Sequence, residues 1–504
     1  MRKTTYETWV LLLAAFLLMT FLSACSFFYP LNPWDDANVY MTIGNAMLSG
    51  RELYQDIFDH KGPVLFLLHE WAAMLSRSSF VGIFLVEIGC CFAYLWYSLR
   101  TMRLFSSTNI TLPLTLLLGV ITYSSDFFSY GDSVEEFSLP ILAHCLYQML
   151  RYAKDEVVPR VWPLLVIGVG LGLILWMKFN ILFFYIGGVA AIAFIAWRRS
   201  QLKALWGFVL WISVGVLLVT IPVFAYFLAH GTLDALFDAY FFVNLFQYHG
   251  IATNGEPDFW WFPLVKLAIW AVLLIPVFLL RTRWEVKTVL MGTYGLLLLT
   301  FATMTVQFYY FLLCFAFFPV LIAFCPEKRL TARNALAMIA VAVCSLSTNW
   351  NLVTRLNGTF PRYVLEMAAI INADKSEDSE VLTFCSYDTG IYQHTNHMPL
   401  NRNFFLSSIQ DPAIRQEQID CVTSGRFKYL VREKGAVNTC HSYYDIPVPD
   451  NYTLIYDKEE LFRYRFITTP HKFLWNLTWP RFILRHMMDP IKVNQRMQVY
   501  RREP

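Results

Sequence analysis

Two carboxylates, Asp35 and Asp36, stand side by side where the first apolar run of the chain gives way to a polar stretch. Adjacent like charges repel, so one of the pair holds its proton more tightly than a lone carboxyl does. A carboxylate near a membrane face can serve as a general base toward a hydroxyl. On position alone the pair fits equally well as a solvated loop end or as the N-cap of a short amphipathic helix, Ala37 to Leu48. Gly50 suits the left-handed turn that ends such a helix. His60-Lys61-Gly62-Pro63 then opens a new apolar run. A lysine there can simply snorkel to the interface. With His60 and the backbone N–H groups that follow Pro63, Lys61 also makes a natural anion site at a helix start, and a lipid-linked phosphate fits it.

A second acidic stretch reads Tyr130-Gly-Asp-Ser-Val-Glu-Glu-Phe-Ser-Leu-Pro140. Asp132, Glu135 and Glu136 fall within about one helical turn, at the start of an apolar helix. Charges there are costly unless paired or wet. They could hold a divalent cation or a cation from the first stretch, or be no more than a charged outer loop. Glu87 and His144, inside apolar runs, read as buried partners rather than catalysts. Lys178, with Asn180 at the tip of a tight hairpin, is a candidate substrate contact.

The elements that carry these residues follow from composition. The 504 residues are 57% hydrophobic and only 15% charged, against about 25% charged in soluble proteins. Apolar runs of near-spanning length recur, which makes this a mainly α, polytopic membrane protein. The net charge of +3 is small and evenly spread, which excludes a nucleic-acid partner. The ten cysteines lack the close spacing of a zinc site, and no other metal-ligand set stands out.

Arg2 and Lys3 precede the run Trp9 to Phe28, which reads as a retained first helix or a signal peptide. Leu22-Ser23-Ala24-Cys25 also matches a lipobox, although such matches arise easily in apolar helices. Each reading puts residue 30 outside. Basic loops set the rest of the topology. Eleven membrane helices are expected, at about 8–28, 80–99, 111–128, 135–150, 161–178, 181–196, 206–229, 262–280, 288–305, 307–324 and 334–349. Arg100 and Arg103, Arg151 to Arg160, Arg198 to Lys203, Arg281 to Lys287 and Lys328 to Arg333 then all lie inside. The run 63–76 is short and holds His69 and Glu70, so it is expected to lie at the interface or re-enter.

The membrane portion is therefore 1–349, with 29–62 as its first external loop and 230–260 as an aromatic-rich outer loop. From 350 charged residues become common and no run spans, which predicts a small extracytoplasmic α/β domain over 350–504. Its expected strands are 381–385, 428–432 and 452–457, and its expected helix is 411–423. Cys385, Cys421 and Cys440 leave a disulfide open. Sequons begin at Asn357, Asn451 and Asn476 and matter only in a host that glycosylates exported proteins.

Asp35-Asp36, Tyr40, Ala46-Met47-Leu48, Gly50, Tyr54 and Asp59-His60-Lys61-Gly62-Pro63 together resemble the signature of the GT-C glycosyltransferases. The nearest resemblance is to the branch that holds the protein O-mannosyltransferases and the lipid A aminoarabinose transferases. Lys61-Gly62-Pro63 departs at one position from that branch's Lys-Pro-Pro, and Asp36 stands where many relatives have glutamate. The strong match covers residues 30–70, while Glu135-Glu136-Phe-Ser-Leu-Pro and Tyr309-Tyr310 match more loosely.

The resemblance implies an integral-membrane transferase of a hexosyl or pentosyl group. It implies transfer from a polyprenyl-phosphate donor to a glycan, lipid or protein acceptor outside the cytoplasm, with inversion. It makes Asp35 the general base, Asp36 a support for substrate placement, Lys61 with His60 the donor-phosphate site, and Tyr40, Tyr309 and Tyr310 substrate contacts. It fixes no cofactor, since some relatives use a metal and others do not. A flippase would show two related halves. A polymerase or ligase would carry arginines in its large external loop, and 230–260 has none. A non-catalytic assembly protein of the same fold is a further alternative.

Overall fold

The computed structural model describes residues 2–106, 108–247, 272, 274–303, 308–325, 329–374, 380–386, 388–395, 397–405, 412–434, 446–465 and 491–503. Most of the expected helix 262–280, the aromatic loop beyond 247, Lys328, Cys440 and the Asn476 sequon lie outside them. The chain divides into two compact units, each assembled from separated segments. One comprises Met1–Ser23, Phe84–Ala225 and Pro257–Val353; the other comprises Ala24–Ile83, Tyr226–Glu256 and Thr354–Pro504.

The helices are, in order, α1 Arg2–Leu22, α2 Asp35–Leu48, α3 Pro63–Leu75, α4 Val81–Phe105, α5 Thr111–Ser124, α6 Val134–Asp155, α7 Val161–Met177, α8 Leu182–Arg198 and α9 Leu202–His230. Further helices cover Trp284–Thr303 and Ala332–Thr348, and a tighter 3₁₀ helix covers Phe308–Phe324. Among the described residues four helices are long and apolar enough to cross a membrane: Thr5–Leu22 within α1, α4, Phe179–Arg198 and α9. Ala332–Thr348 and Trp350–Leu356, bent by 73°, make a fifth if taken as one span. The chain is thus a mainly helical, polytopic membrane protein.

At about 1.5 Å per residue, the 13 residues of α3 reach roughly 20 Å, short of the ~30 Å hydrocarbon layer. That agrees with the sequence expectation for 63–76. Pro63 at the first helical position suits a helix start, where its missing N–H costs nothing.

Within the first unit, Ser133 caps α6 by accepting the Glu136 N–H at 3.0 Å. Small residues let helices close up. The Gly187 and Gly292 backbones approach so closely that a side chain on either would strike the other, as at membrane helix interfaces generally.

In the second unit a four-stranded sheet runs in the order β1-β2-β4-β3, with β1 Val381–Phe384, β2 Tyr429–Lys434, β3 Tyr452–Arg465 and β4 Ile491–Arg502. β1 and β2 are parallel, and the β4 contacts are antiparallel. Leu382, Phe384, Val422, Phe427, Leu430 and Ile446 pack as its core. The helix Pro412–Thr423 and three strands lie where the sequence places them. β3 extends eight residues beyond 457 because β4, unexpected from the sequence, supplies its partner strand. Helices Tyr363–Asn372 and Ile391–Thr395 are also additional.

Candidate active site

The acidic pair is not ahead of its helix, as expected, but forms the first turn of α2. Trp34 is the N-cap and offers no side-chain cap, and the two carboxylates stand in the first turn, at the positive end of the helix dipole. Both aspartates are half-buried. Gly50, at φ +88°, takes the left-handed turn past the helix end.

Lys61 lies among anions. Its Nζ is 3.6 Å from Asp36 Oδ1 and 3.5 Å from Asp59 Oδ2. It stands 4.9 Å from the ring centre of Tyr40. Tyr40 is buried edge-on against Phe66 and His69 of α3, which couples α2 to α3 beneath the ammonium. Asp59 is fully buried, and burial pushes its carboxyl up. The Lys61 ammonium and His60, which also hydrogen-bonds Asp59 through its backbone N–H, outweigh that effect and hold it well below the usual carboxylate range. His60 Nδ1 is 3.0 Å from Asp59 Oδ1.

The loop that carries Lys61 is held from several sides. The buried Tyr54 hydroxyl donates to the Lys61 carbonyl at 2.6 Å. Asn244 donates to the His60 carbonyl at 2.5 Å. Tyr54 sits at φ +68°, an uncommon conformation for a tyrosine, fixed by Arg402 Nε on its carbonyl at 3.0 Å and by Phe227 stacked on its ring. Farther along α2, the Thr42 hydroxyl donates to Asp388 Oδ2 at 2.5 Å, and Gly390, with φ +89°, leaves no room for a side chain against Asn38.

Sequence reasoning assigned no role to Asp59, Tyr54, Asp388 or Arg402. Asp59 had a local signal, a carboxylate two residues before a lysine. Tyr54, like Asp59, stood in the quoted signature, and Asp388 and Arg402 gain meaning only from contacts across hundreds of residues.

The second acidic stretch, in the first unit, splits its carboxylates between two partners. Glu135 Oε1 pairs with Lys178 Nζ at 2.6 Å. The same ammonium lies 3.7 Å from the ring centre of Tyr310 and 5.5 Å from that of Tyr309, so four sequence candidates meet at one point. Glu136 Oε2 and Glu87 Oε1 instead both accept the Asp132 N–H at 3.0 Å. Ser23 donates to Glu87 at 2.7 Å, so Glu87 is a buried partner, as the sequence suggested. His144 is buried against the Tyr97 ring. Among the described residues no group of three or more His, Cys, Asp or Glu is placed to hold a metal ion.

The sequence matches no protein-family model and no curated protein. Its structure does have solved neighbours. Crystal structures of ArnT from Cupriavidus metallidurans superpose in two states. The structure bound to undecaprenyl phosphate gives a TM-score of 0.55 at 12% identity, covering 86% of this chain and 93% of that one. The apo structure gives 0.53 at 11%, covering 85% and 92%. The likeness extends over most of the chain and shows its fold. The chain has the fold of ArnT.

Proposed function

We propose that the protein is an integral-membrane glycosyltransferase. It moves a hexosyl or pentosyl group from a polyprenyl-phosphate donor to an acceptor on the extracytoplasmic side. One observation carries this reading. In a chain with the ArnT fold, Lys61 is fixed 3.6 Å from Asp36, at the helix terminus that also carries Asp35. One ArnT neighbour holds undecaprenyl phosphate, which supports a lipid of that kind as the donor here.

Outside the cytoplasm no nucleotide sugar is at hand, so the sugar must arrive on a lipid. Displacement at the anomeric carbon then needs a base for the incoming hydroxyl and charge stabilisation for the departing phosphate. Asp35 is the proposed base. Asp36 orients substrate, and Lys61 with His60 receives the phosphate, exchanging part of its contact with Asp36 for the donor oxygens. Asp59, buried and charged, stays behind as the fixed counter-ion that keeps the ammonium in place. A single base and a direct attack give inversion. Tyr40 supports Lys61 from below. Lys178, Glu135, Tyr309 and Tyr310 form a second substrate contact. Asp132 and Glu136 shape the α6 terminus, and a divalent cation is the one cofactor such acidic groups would accept.

The chain is proposed to cross the membrane eleven times, with its N-terminus inside and 350–504 outside. The composition of the second unit supports that topology. It gathers 29–62, 226–256 and the C-terminal residues, all of which the basic-loop rule puts on one face. The acceptor is a glycan, lipid or protein.

The test is binding and turnover of the lipid. Purified protein should bind undecaprenyl phosphate saturably, and Lys61→Ala should bind it about tenfold more weakly, an expected loss of about 1.4 kcal/mol. Release of polyprenyl phosphate from a lipid-linked sugar should fall by roughly 10²–10⁴ in Asp35→Asn. A protein that moves the intact lipid-linked sugar across vesicles without cleaving it would replace this reading with a flippase.

A further inference from the structure

The two aspartates of α2 stand on different faces of the helix. Residues three, four, seven and eight apart share a side. Asp36, Tyr40 and Gly44 therefore form one face. Lys61 meets Asp36 there, Tyr40 packs on Phe66 and His69, and Gly44 lies against the His69 backbone with no room for a side chain. Asp35, Asn38 and Thr42 form the other face. Asp35 is turned from Asp36 by about 100°. The first face is held by Lys61 and α3, and the second carries the proposed base.

Residues 388–390 hold that second face. Thr42 donates to Asp388 Oδ2 at 2.5 Å, and the Gly390 N–H donates to Asp388 Oδ1 at 2.8 Å. Both Thr42 and Asp388 are buried. Gly390, at φ +89°, presses its backbone on the Asn38 amide: a Cβ there would stand 2.8 Å from Asn38 Oδ1. Asn38 Nδ2 donates to the Asn32 carbonyl at 3.1 Å, and Asn32 Oδ1 accepts the Trp34 N–H at 2.9 Å. The contacts thus run from Thr42 through Asn38 to Trp34, the N-cap that immediately precedes Asp35.

How firmly the segment grips depends on the charge of Asp388. An ionised carboxylate accepts hydrogen bonds about twice as strongly as a neutral group. Charge is costly to bury, and burial raises this carboxyl to about 6. The groups around it leave that balance to Asp388 itself. Tyr392 senses it from the helix Ile391–Thr395, where burial pushes His394 toward its neutral form. Asp35 lies seven residues from Thr42, about 10 Å along α2, while Asp36 and His69 belong to the opposite face. The helix Tyr363–Asn372 packs beside Ile391–Thr395, and its Glu366 is engaged by Lys458 and Tyr456.

We propose that Asp388 is a positioning residue for the transfer step: through Thr42 and Gly390 it fixes the face of α2 that aims Asp35, and its ionised form holds that face more tightly than its protonated form. The role in turnover rests on the transferase reading; the grip on α2 does not.

The test uses the full chain in lipid nanodiscs. Thr42→Val removes the hydroxyl that Asp388 binds. It should lower kcat about tenfold, within the range that a misplacement of ~1 Å costs. Its affinity for undecaprenyl phosphate should stay within about twofold of wild type, because Lys61 meets the other face of α2. Thr42→Ser, which keeps the hydroxyl, should recover most of the lost kcat. Wild-type kcat should rise through about pH 6 in a step that Asp388→Asn lacks. Hydrogen exchange of the amides 38–42 at neutral pH should be faster in Thr42→Val than in wild type, at equal lipid-binding stoichiometry. Unchanged exchange overturns the grip. Wild-type kcat in Thr42→Val, no recovery in Thr42→Ser, or a step near pH 6 that persists in Asp388→Asn overturns the positioning role. Wild type that binds the lipid and releases no polyprenyl phosphate ends the transferase reading and the role in turnover with it, and the exchange measurement still decides the grip.

Discussion

The Thr42 hydroxyl donates to Asp388 Oδ2 at 2.5 Å, joining α2 to a residue 346 positions away. The other oxygen of Asp388 accepts the Gly390 N–H at 2.8 Å. Burial raises this carboxyl from 3.8 to about 6, although both hydrogen bonds oppose the shift. An acid with a raised pKa in the folded state gives up stability as it ionises. Its contribution is therefore complete below the unfolded value of 3.8 and is lost as pH rises through about 6. The loss is on the order of 3 kcal/mol at most. Unfolding of wild type and Asp388→Asn, compared between pH 4 and 7, should show wild type losing ground relative to the variant over that window. Parallel profiles would remove Asp388 from this role.

Asp35→Asn keeps the size of the side chain and its place in the first turn of α2, but cannot accept a proton. Transfer should fall by roughly 10²–10⁴, while size-exclusion profile and helix content stay unchanged. A variant with wild-type turnover would take the base assignment away from Asp35.

Lys61→Ala removes the cation shared by Asp36 and Asp59. The apparent affinity for the lipid donor should weaken about tenfold, with the KM for acceptor changed much less. Asp59 loses the charge that holds its carboxyl low, so the variant should also lose stability as pH rises from acid toward neutral, relative to wild type. The sign follows because a carboxyl held low stabilises the fold as pH rises out of the acid range, and without Lys61 the variant gains less from ionising Asp59 than wild type does. Equal loss of donor and acceptor affinity would contradict the phosphate role.

Lys178→Met strands the carboxylate of Glu135, which is 2% exposed. Breaking a buried pair from one side costs roughly 3–5 kcal/mol. Lys178→Met/Glu135→Gln should recover most of that, because neither charge is left alone. Thermal unfolding in detergent reads both. A single variant as stable as wild type would show that water reaches Glu135.

Cysteines placed at the exposed Gln55 and Thr453 in a cysteine-depleted background should react with an impermeant thiol reagent from outside intact cells. One at Arg160, also exposed, should react only after the membrane is opened. Labelling of Gln55→Cys and Thr453→Cys from opposite sides would overturn the topology.

The apolar helices were legible because their signal is local. A run of apolar residues between basic ends is readable without knowing any partner, and α7 and α8 begin and end within two residues of expectation. The acidic pair was legible for the same reason, as the break in such a run. Its helix began two residues earlier than expected, with Asp35 and Asp36 in the first turn, where carboxylates suit the positive end of the helix dipole. β4 was not legible. Its sequence IKVNQRMQVYRR is strongly polar, and it is a strand because β2 and β3 flank it on both sides. Asp388 and Arg402 carried no local mark. Their meaning lies in Thr42 and Tyr54, and no periodicity reaches across that distance.

Arg402 and Asp388 have a consequence for the life of the chain. Tyr54 is kept in a left-handed backbone, and with it the lysine loop, by a guanidinium made some 350 residues later. During synthesis the loop 29–62 emerges early, carrying its aspartates and its lysine, but without the Arg402 and Asp388 contacts. That loop is therefore without its clamp until the last quarter of the chain has been made. A chain truncated between residues 311 and 387 keeps Asp35, Asp36, Lys61, Lys178 and Tyr310 and lacks both Asp388 and Arg402.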